Sequence, residues 1–215
     1  MKKNACLCWL LIGLFFIFPA PVVMAAASAL GQVEEVTGLM KIQRAKQKTW
    51  LTAHPDTDVF FGDTLTTEDE SGGTIKLLDD SIIRVHANSK IDLNTMISPV
   101  EKKHSVLLFF GKLWNRISKK ALRKKVFEVQ TPTAVCGVRG TDFEMASYED
   151  GTMLVRVNSG EVEVDNEVVQ ETLVSNQGTQ VSFEQKKIQI ESDFQPDWER
   201  DQARSRENLL GDGEK

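Results

Sequence analysis

The sequence predicts an all-β fold: a single sandwich or roll, or a short solenoid-like stack of hairpins, closed by a short C-terminal helix. Three observations predict it. Apolar and polar residues alternate strictly in Glu161-Val162-Glu163-Val164-Asp165 and in Lys187-Ile188-Gln189-Ile190-Glu191, the pattern of half-buried strands. Met153, Val155 and Val157 likewise share one face while Arg156 points to the other. Turn signals interrupt these runs roughly every 8 to 12 residues, as in all-β domains. Asp79-Asp80 separates Thr74–Leu78 from Ile82–Val85 as a hairpin turn, and Glu149-Asp150-Gly151 supplies another. Gly140, Gly160 and Gly178 recur at spacings of about 20, which carries the solenoid alternative.

In chain order, the first element is a targeting segment, residues 1–27. Lys2 and Lys3 form a basic start, and Ala5 to Phe18 is an apolar run of signal-sequence length, broken by Pro19 and Pro21. Small residues follow, so cleavage is expected after Ala25 or Ala27. The alternative is an uncleaved anchor, although the prolines interrupt the run before the roughly 20 apolar residues that a membrane span needs. Cys6 and Cys8 precede most of the run instead of closing it, which argues against a lipoprotein. Cleavage leaves Cys136 as the one cysteine, so no internal disulfide is expected and stability must come from the core. Roughly 190 mature residues suffice for one. Cys136, between Val135 and Gly137, reads as a small buried filler.

The all-β domain is expected over residues 31–191, organised around Val126–Met145 (VFEVQTPTAVCGVRGTDFEM). Pro132, Gly137 and Gly140 punctuate this stretch. Val126, Phe127 and Val129 read as a strand that Pro132 ends, because proline has no N–H for a ladder. Val135–Val138 resume it, Gly140 permits positive φ, and Thr141–Met145 leave as a new strand. One reading is a structural corner that sets strand register. The other has Arg139 and Thr141 presenting a binding surface.

The segment TPTAVCGVRGTDF resembles the hallmark of the FecR domain family, periplasmic regulators named for iron-citrate transport. Gly62-Asp63-Thr64-Leu65-Thr66-Thr67, Leu78-Asp79-Asp80-Ser81-Ile82, Gly111-Lys112-Leu113-Trp114 and Gly160-Glu161-Val162-Glu163-Val164 resemble further segments of that family in the expected order. The resemblance covers roughly residues 60–183. It departs at Cys136, where a small residue such as alanine is expected, and at Asp80, where the family has glycine. It implies a fold and an envelope compartment more than an activity.

Lys102–Lys125 differs from the rest in holding nine lysines and arginines and no acidic residue. Without Lys2 and Lys3 the chain has 24 basic and 31 acidic residues, so this stretch carries +9 and the remainder −16. Such asymmetry bears on partners. Its second half can be read as a basic amphipathic helix suited to an anionic membrane surface, with Leu113, Ile117 and Ala121 on one stripe. The competing reading, favoured by the resemblance at Leu113-Trp114, is a strand from Val106 to about Ile117 followed by a solvated basic loop. Lys112, Arg116, Lys119, Lys120, Arg123, Lys124 and Lys125 are the candidate contact residues.

Residues 192–215 read as a polar C-terminal helix and tail, with Pro196 at a helix first turn and Asp197 and Glu199 near its positive end. Catalytic patterns do not emerge. His54, His86 and His104 lack metal-ligand spacing, and no glycine-rich phosphate loop or G-x-S-x-G elbow occurs. Glu161, Glu163 and Asp165 read as a solvated strand face. No cofactor, metal or nucleic acid is therefore expected. The expectation is a non-catalytic, exported binding or sensing module of the bacterial envelope acting by protein–protein contact. Met1–Asn4 alone precede the apolar run, too little for the cytoplasmic segment of a membrane-spanning regulator, so a stand-alone periplasmic or secreted module is expected. The alternatives are a cell-wall or surface-glycan module and a signal-anchored regulator. Trp50, Trp114, Trp198 and Tyr148 share no strand, which favours a protein partner over a glycan platform.

Overall fold

The computed structural model describes residues 28–97, 102–119, 127–183 and 188–196. The expected leader and the expected helix beyond Pro196 lie outside these residues. The first nine strands are β1 (Gly31–Thr37), β2 (Met40–Gln43), β3 (Trp50–Thr52), β4 (Asp58–Val59), β5 (Thr64–Thr67), β6 (Gly72–Leu77), β7 (Ile82–Val85), β8 (Lys90–Ile97) and β9 (Lys102–Arg116). Eight more follow: β10 (Phe127–Gln130), β11 (Val135–Val138), β12 (Asp142–Ser147), β13 (Met153–Ser159), β14 (Glu161–Asp165), β15 (Gln170–Val174), β16 (Gln177–Val181) and β17 (Glu191–Ser192).

Two sheets face each other. Sheet A runs β4-β1-β6-β7-β9-β12-β13-β16-β17. Sheet B runs β3-β2-β5-β8-β9-β10-β11-β14-β15. All pairings are antiparallel except β9 with β10. From β6 onward the chain visits the sheets hairpin by hairpin, so the architecture is a sandwich whose hairpins alternate between layers.

Period-two patterning explains the core. Val33, Ile75, Ile83, Leu113, Phe143, Met145 and Val155 from sheet A meet Met40, Ile42, Leu65, Ile91, Leu108, Val129 and Val162 from sheet B, all at most 2 % exposed. Each such side chain contributes roughly 1.5–3 kcal/mol by leaving water. Cys136 is fully buried in this core as a free thiol, its pKa pushed up to about 12 by burial. The thiol is a filler with no route to reaction.

The long strand β9 holds the sandwich together. Its first part pairs with β8 and β10 in sheet B, its last part with β7 and β12 in sheet A. The crossing comes at Gly111, just after a register shift against Lys90 and Ile91. Gly111 has φ 104°, and the Ser89 side chain and Cα occupy the space a Cβ would need. This strand decides between the two readings of the basic stretch. Lys112–Arg116 is extended, and the amphipathic helix is overturned there, because Leu113 must reach the core while Lys112 and Trp114 point away from it. The Asp79-Asp80 hairpin forms with Asp80 at φ 67°, the left-handed geometry a glycine would take more easily.

One expected strand is largely lost. Lys187 lies outside the described residues; of Ile188–Glu191, only Glu191 joins a ladder, in the two-residue β17. Ile188 is buried but Ile190 is exposed, and the Gln189 carbonyl accepts a bond from the Thr179 hydroxyl at 2.6 Å. Side-chain anchoring replaces backbone pairing here. Phe194 then packs on Ala146, Tyr148 and Leu154 on the outer side of sheet A.

Candidate functional site: a cationic face on sheet A

Strand alternation sends one residue in two of sheet A away from the core. On β7, β9, β12 and β13 this places Arg84, Trp114, Glu144 and Arg156 side by side in one row. Neighbouring positions add Lys112, Arg116 and Asp142. The Arg84 and Arg116 guanidiniums both lie over the Trp114 ring, at 5.1 and 4.8 Å from its centroid. Glu144 pairs with Arg156 at 2.6 Å and with Lys112 at 3.1 Å, and Asp142 pairs with Arg116 at 3.2 Å. Asn158 donates to the other Asp142 oxygen at 3.0 Å, and Arg156 donates to Gln195 at 3.1 Å.

Four cations thus share these rows with two carboxylates, so the rows are two charges positive. Arg84 is exposed, and among the described residues it has an aromatic partner but no carboxylate. Burial opposes the charged form of Glu144, but hydrogen bonds and charges from Arg156 and Lys112 outweigh it and hold its pKa below the ordinary 4.5. At the end of the row His86 is half-buried, its pKa lowered from 6.5 by burial and then by Lys112. The unfolded chain therefore binds more protons at both groups, and stability falls with acid. The His86 contribution is complete above about pH 6.5 and is lost as pH drops below it; that of Glu144 is lost on falling below about pH 4.5. Thermal melts against pH should show the upper slope removed by His86→Asn and the lower one by Glu144→Gln.

The other sequence-derived residues scatter. Pro132 sits in the turn between β10 and β11, which Thr131 closes by donating its N–H to Ala134 at 2.9 Å. Gly137 lies within β11 opposite Glu128 and Glu163. Gly140 has φ 63°, with the Lys119 side chain lying across it. Gly140→Val should cost more than about 1 kcal/mol, read as a lower denaturation midpoint, mainly from the left-handed backbone, since Lys119 can move aside. Arg139 is exposed and without an ion pair among the described residues; Asp142 is already held by Arg116 and Asn158. Thr141 is no surface residue. It is 1 % exposed, its hydroxyl donates to the Glu161 carbonyl at 2.7 Å, and its own carbonyl accepts from Ile117 at 2.9 Å. Lys112 and Arg116 lie in the cationic face, already paired. Lys120, Arg123, Lys124 and Lys125 lie outside the described residues.

Reading the sequence missed Arg84, Glu144 and Arg156 as a group. Alternation shows that each points outward, as noted for Arg156, but not that β7, β9, β12 and β13 are neighbours. Among the described residues no three His, Cys, Asp or Glu side chains are placed to hold a metal ion.

Residues 63–163 match the model of the FecR protein family. They form a FecR domain. It runs from just before β5 into β14 and so includes every residue of the cationic face. Two crystal structures of a candidate anti-sigma factor from Parabacteroides distasonis, at 1.65 and 2.50 Å resolution, share this fold. Each has a TM-score of 0.52 and 22% identity, over 60% of this chain and 59% of theirs. The matched part is thus about three-fifths of that protein. No curated protein matches the sequence.

The FecR segments act as joints. Asp63 is buried, pairs with Arg44 at 2.6 Å and accepts the Phe60 N–H at 2.8 Å. Ser81, fully buried, accepts the Ser118 N–H at 3.0 Å and ties the β6–β7 hairpin to the end of β9. Gly111 turns β9 between sheets, and Thr141 links β12 to β14. These positions hold hairpins together.

Proposed function

We propose that this chain is a non-catalytic sensing or regulatory module of the bacterial envelope that works by protein–protein contact, with the outer face of sheet A as its docking surface. The carrying observation is the net positive Arg84–Trp114–Arg116 cluster, in which Arg84 has no carboxylate partner among the described residues. An acidic segment of a partner would complete it, and complementary charge would select that segment and speed its arrival. The FecR domain supports a regulatory role, as does the likeness to a candidate anti-sigma factor. The basic and apolar N-terminal segment supports export. A glycan reading is disfavoured because two guanidiniums already cover the Trp114 ring, leaving no bare aromatic platform.

Cross-linking in intact cells followed by mass spectrometry tests the proposal. A specific envelope protein should be recovered from the wild type, and Arg84→Glu should lower its recovery at least tenfold, by about 1.4 kcal/mol or more. Arg84 is exposed, so folding should survive the change. Recovery of no specific protein, together with retention on purified peptidoglycan, would overturn it. N-terminal sequencing of envelope material should begin between Ala26 and Leu30; a retained Met1 would show an anchored form.

A further inference from the structure

Sheet B ends on two strands that no other strand covers among the described residues, β3 on one side and β15 on the other. A bare strand edge offers N–H and C=O groups to another chain, and proteins usually blunt such edges with charge or cover. Here the two rims carry opposite charge. Between Gly38 and Pro55 the sequence holds four basic residues and no acidic one; between Glu161 and Glu171 it holds five acidic residues and no basic one. On the first rim Arg44 and Lys41 are paired, but Lys46 and Lys48 are exposed without a carboxylate among the described residues. On the second, Glu161, Asp165 and Glu167 are exposed without a cation among the described residues. Both edges also leave apolar side chains in water: Trp50 and Leu51 are 39% and 46% exposed, Val168 and Val174 67% and 42%.

We infer that sheet B is extended from one copy of this chain to the next, the β3 edge of one molecule adding to the β15 edge of another. Side-chain parity allows it. Leu51 lies opposite Ile42 and faces the core side, as Leu173 does opposite Val162, so the two can continue one inner face across the junction. The contact is head-to-tail, and each molecule keeps one free edge of each kind, so addition does not close on a dimer. Edges three and five residues long bury far less than the roughly 800 Å² per partner of stable complexes. The association is therefore weak, rises with concentration and is relieved by salt. It uses a different part of the molecule from the sheet A face, so either idea can fail without the other.

Sedimentation of the full exported chain tests this, with hydrogen exchange at Trp50–Thr52 and Gln170–Val174. At low salt the average mass should climb with concentration, with both edges gaining protection, and at high salt it should return to the monomer. Lys46→Glu with Lys48→Glu brings the first rim from +4 to 0, and Glu167→Lys with Glu171→Lys brings the second from −5 to −1. Each double variant should associate less than the wild type, an equimolar mixture should associate through the one +4 rim and the one −5 rim that are left unchanged, and a chain carrying all four changes should stay monomeric. Lys46, Lys48 and Glu167 are exposed and Glu171 is half-buried, so melting curves should stay close to the wild type. A wild type that remains monomeric at low salt, or a mixture that fails to associate, would overturn the inference. So would edge protection independent of concentration, which would assign the edges to other residues of the same chain, or protection seen only with added envelope extract, which would assign them to a different protein.

Discussion

Replacing Gly111 with valine should destabilise the protein by about 2–5 kcal/mol. Two costs add. A β-branched residue at φ 104° sits where side chains are rarely found, which costs roughly 1–2 kcal/mol. The new Cβ also meets the Ser89 Cα, which belongs to the backbone and cannot rotate away, so overpacking adds roughly 1–3 kcal/mol. Ser89 is held in place. Its N–H donates to Thr67 Oγ1 at 3.0 Å, and its own Oγ accepts the Lys112 N–H at 3.0 Å, on the far side of the bend. Displacing it would loosen β9 where the strand leaves one sheet for the other. Denaturant titration should show a lower midpoint, and a midpoint within about 0.5 kcal/mol of wild type would show that the bend tolerates a side chain.

Asn115→Val should do the opposite, raising stability by about 1–3 kcal/mol. Asn115 is on β9 at a core-facing position, fully buried, opposite Ile83 on one neighbour and Phe143 on the other. Neither its Nδ2 nor its Oδ1 has a hydrogen-bond partner among the described residues. A buried amide without partners gives up its bonds to water and receives nothing back. Valine removes that cost and suits a strand flanked by apolar side chains. Melting should rise by roughly 2–4 °C per kcal/mol for a domain of this size. A fall in stability would mean that the amide is bonded after all, or that the extra methyl volume does not fit. Asn115→Ala separates these, since it removes the amide without adding bulk.

Much of the fold was legible because a half-buried strand records its orientation in every second residue. Val155 and Val157 face the core and Arg156 faces out, as alternation requires, and the Asp79-Asp80 and Glu149-Asp150-Gly151 turns fall between paired strands. The FecR segments could likewise be read in order, since they are local in sequence. The strand read at Lys187–Glu191 is missing over Ile188–Ile190, because alternation reports burial and says nothing of a ladder partner. Ile188 is buried without belonging to a strand.

Local sequence was enough for the all-β class, the inward face of most strands, the buried role of Cys136 and the FecR resemblance. All of these depend on residues within a few positions of one another. Only the tertiary structure decided which outward residues meet. Arg84 and Arg156 are far apart in the chain and become members of one row through β9 and β12. Lys112 and Arg116, read as candidate contact residues, lost much of their positive character to Glu144 and Asp142. Thr141, part of a binding surface in one of the two readings of its corner, faces inward and joins two strands. The physical reason is the same in each case: alternation tells a side chain which way to point, whereas strand order, set by hairpins packing across two layers, tells it what it will meet.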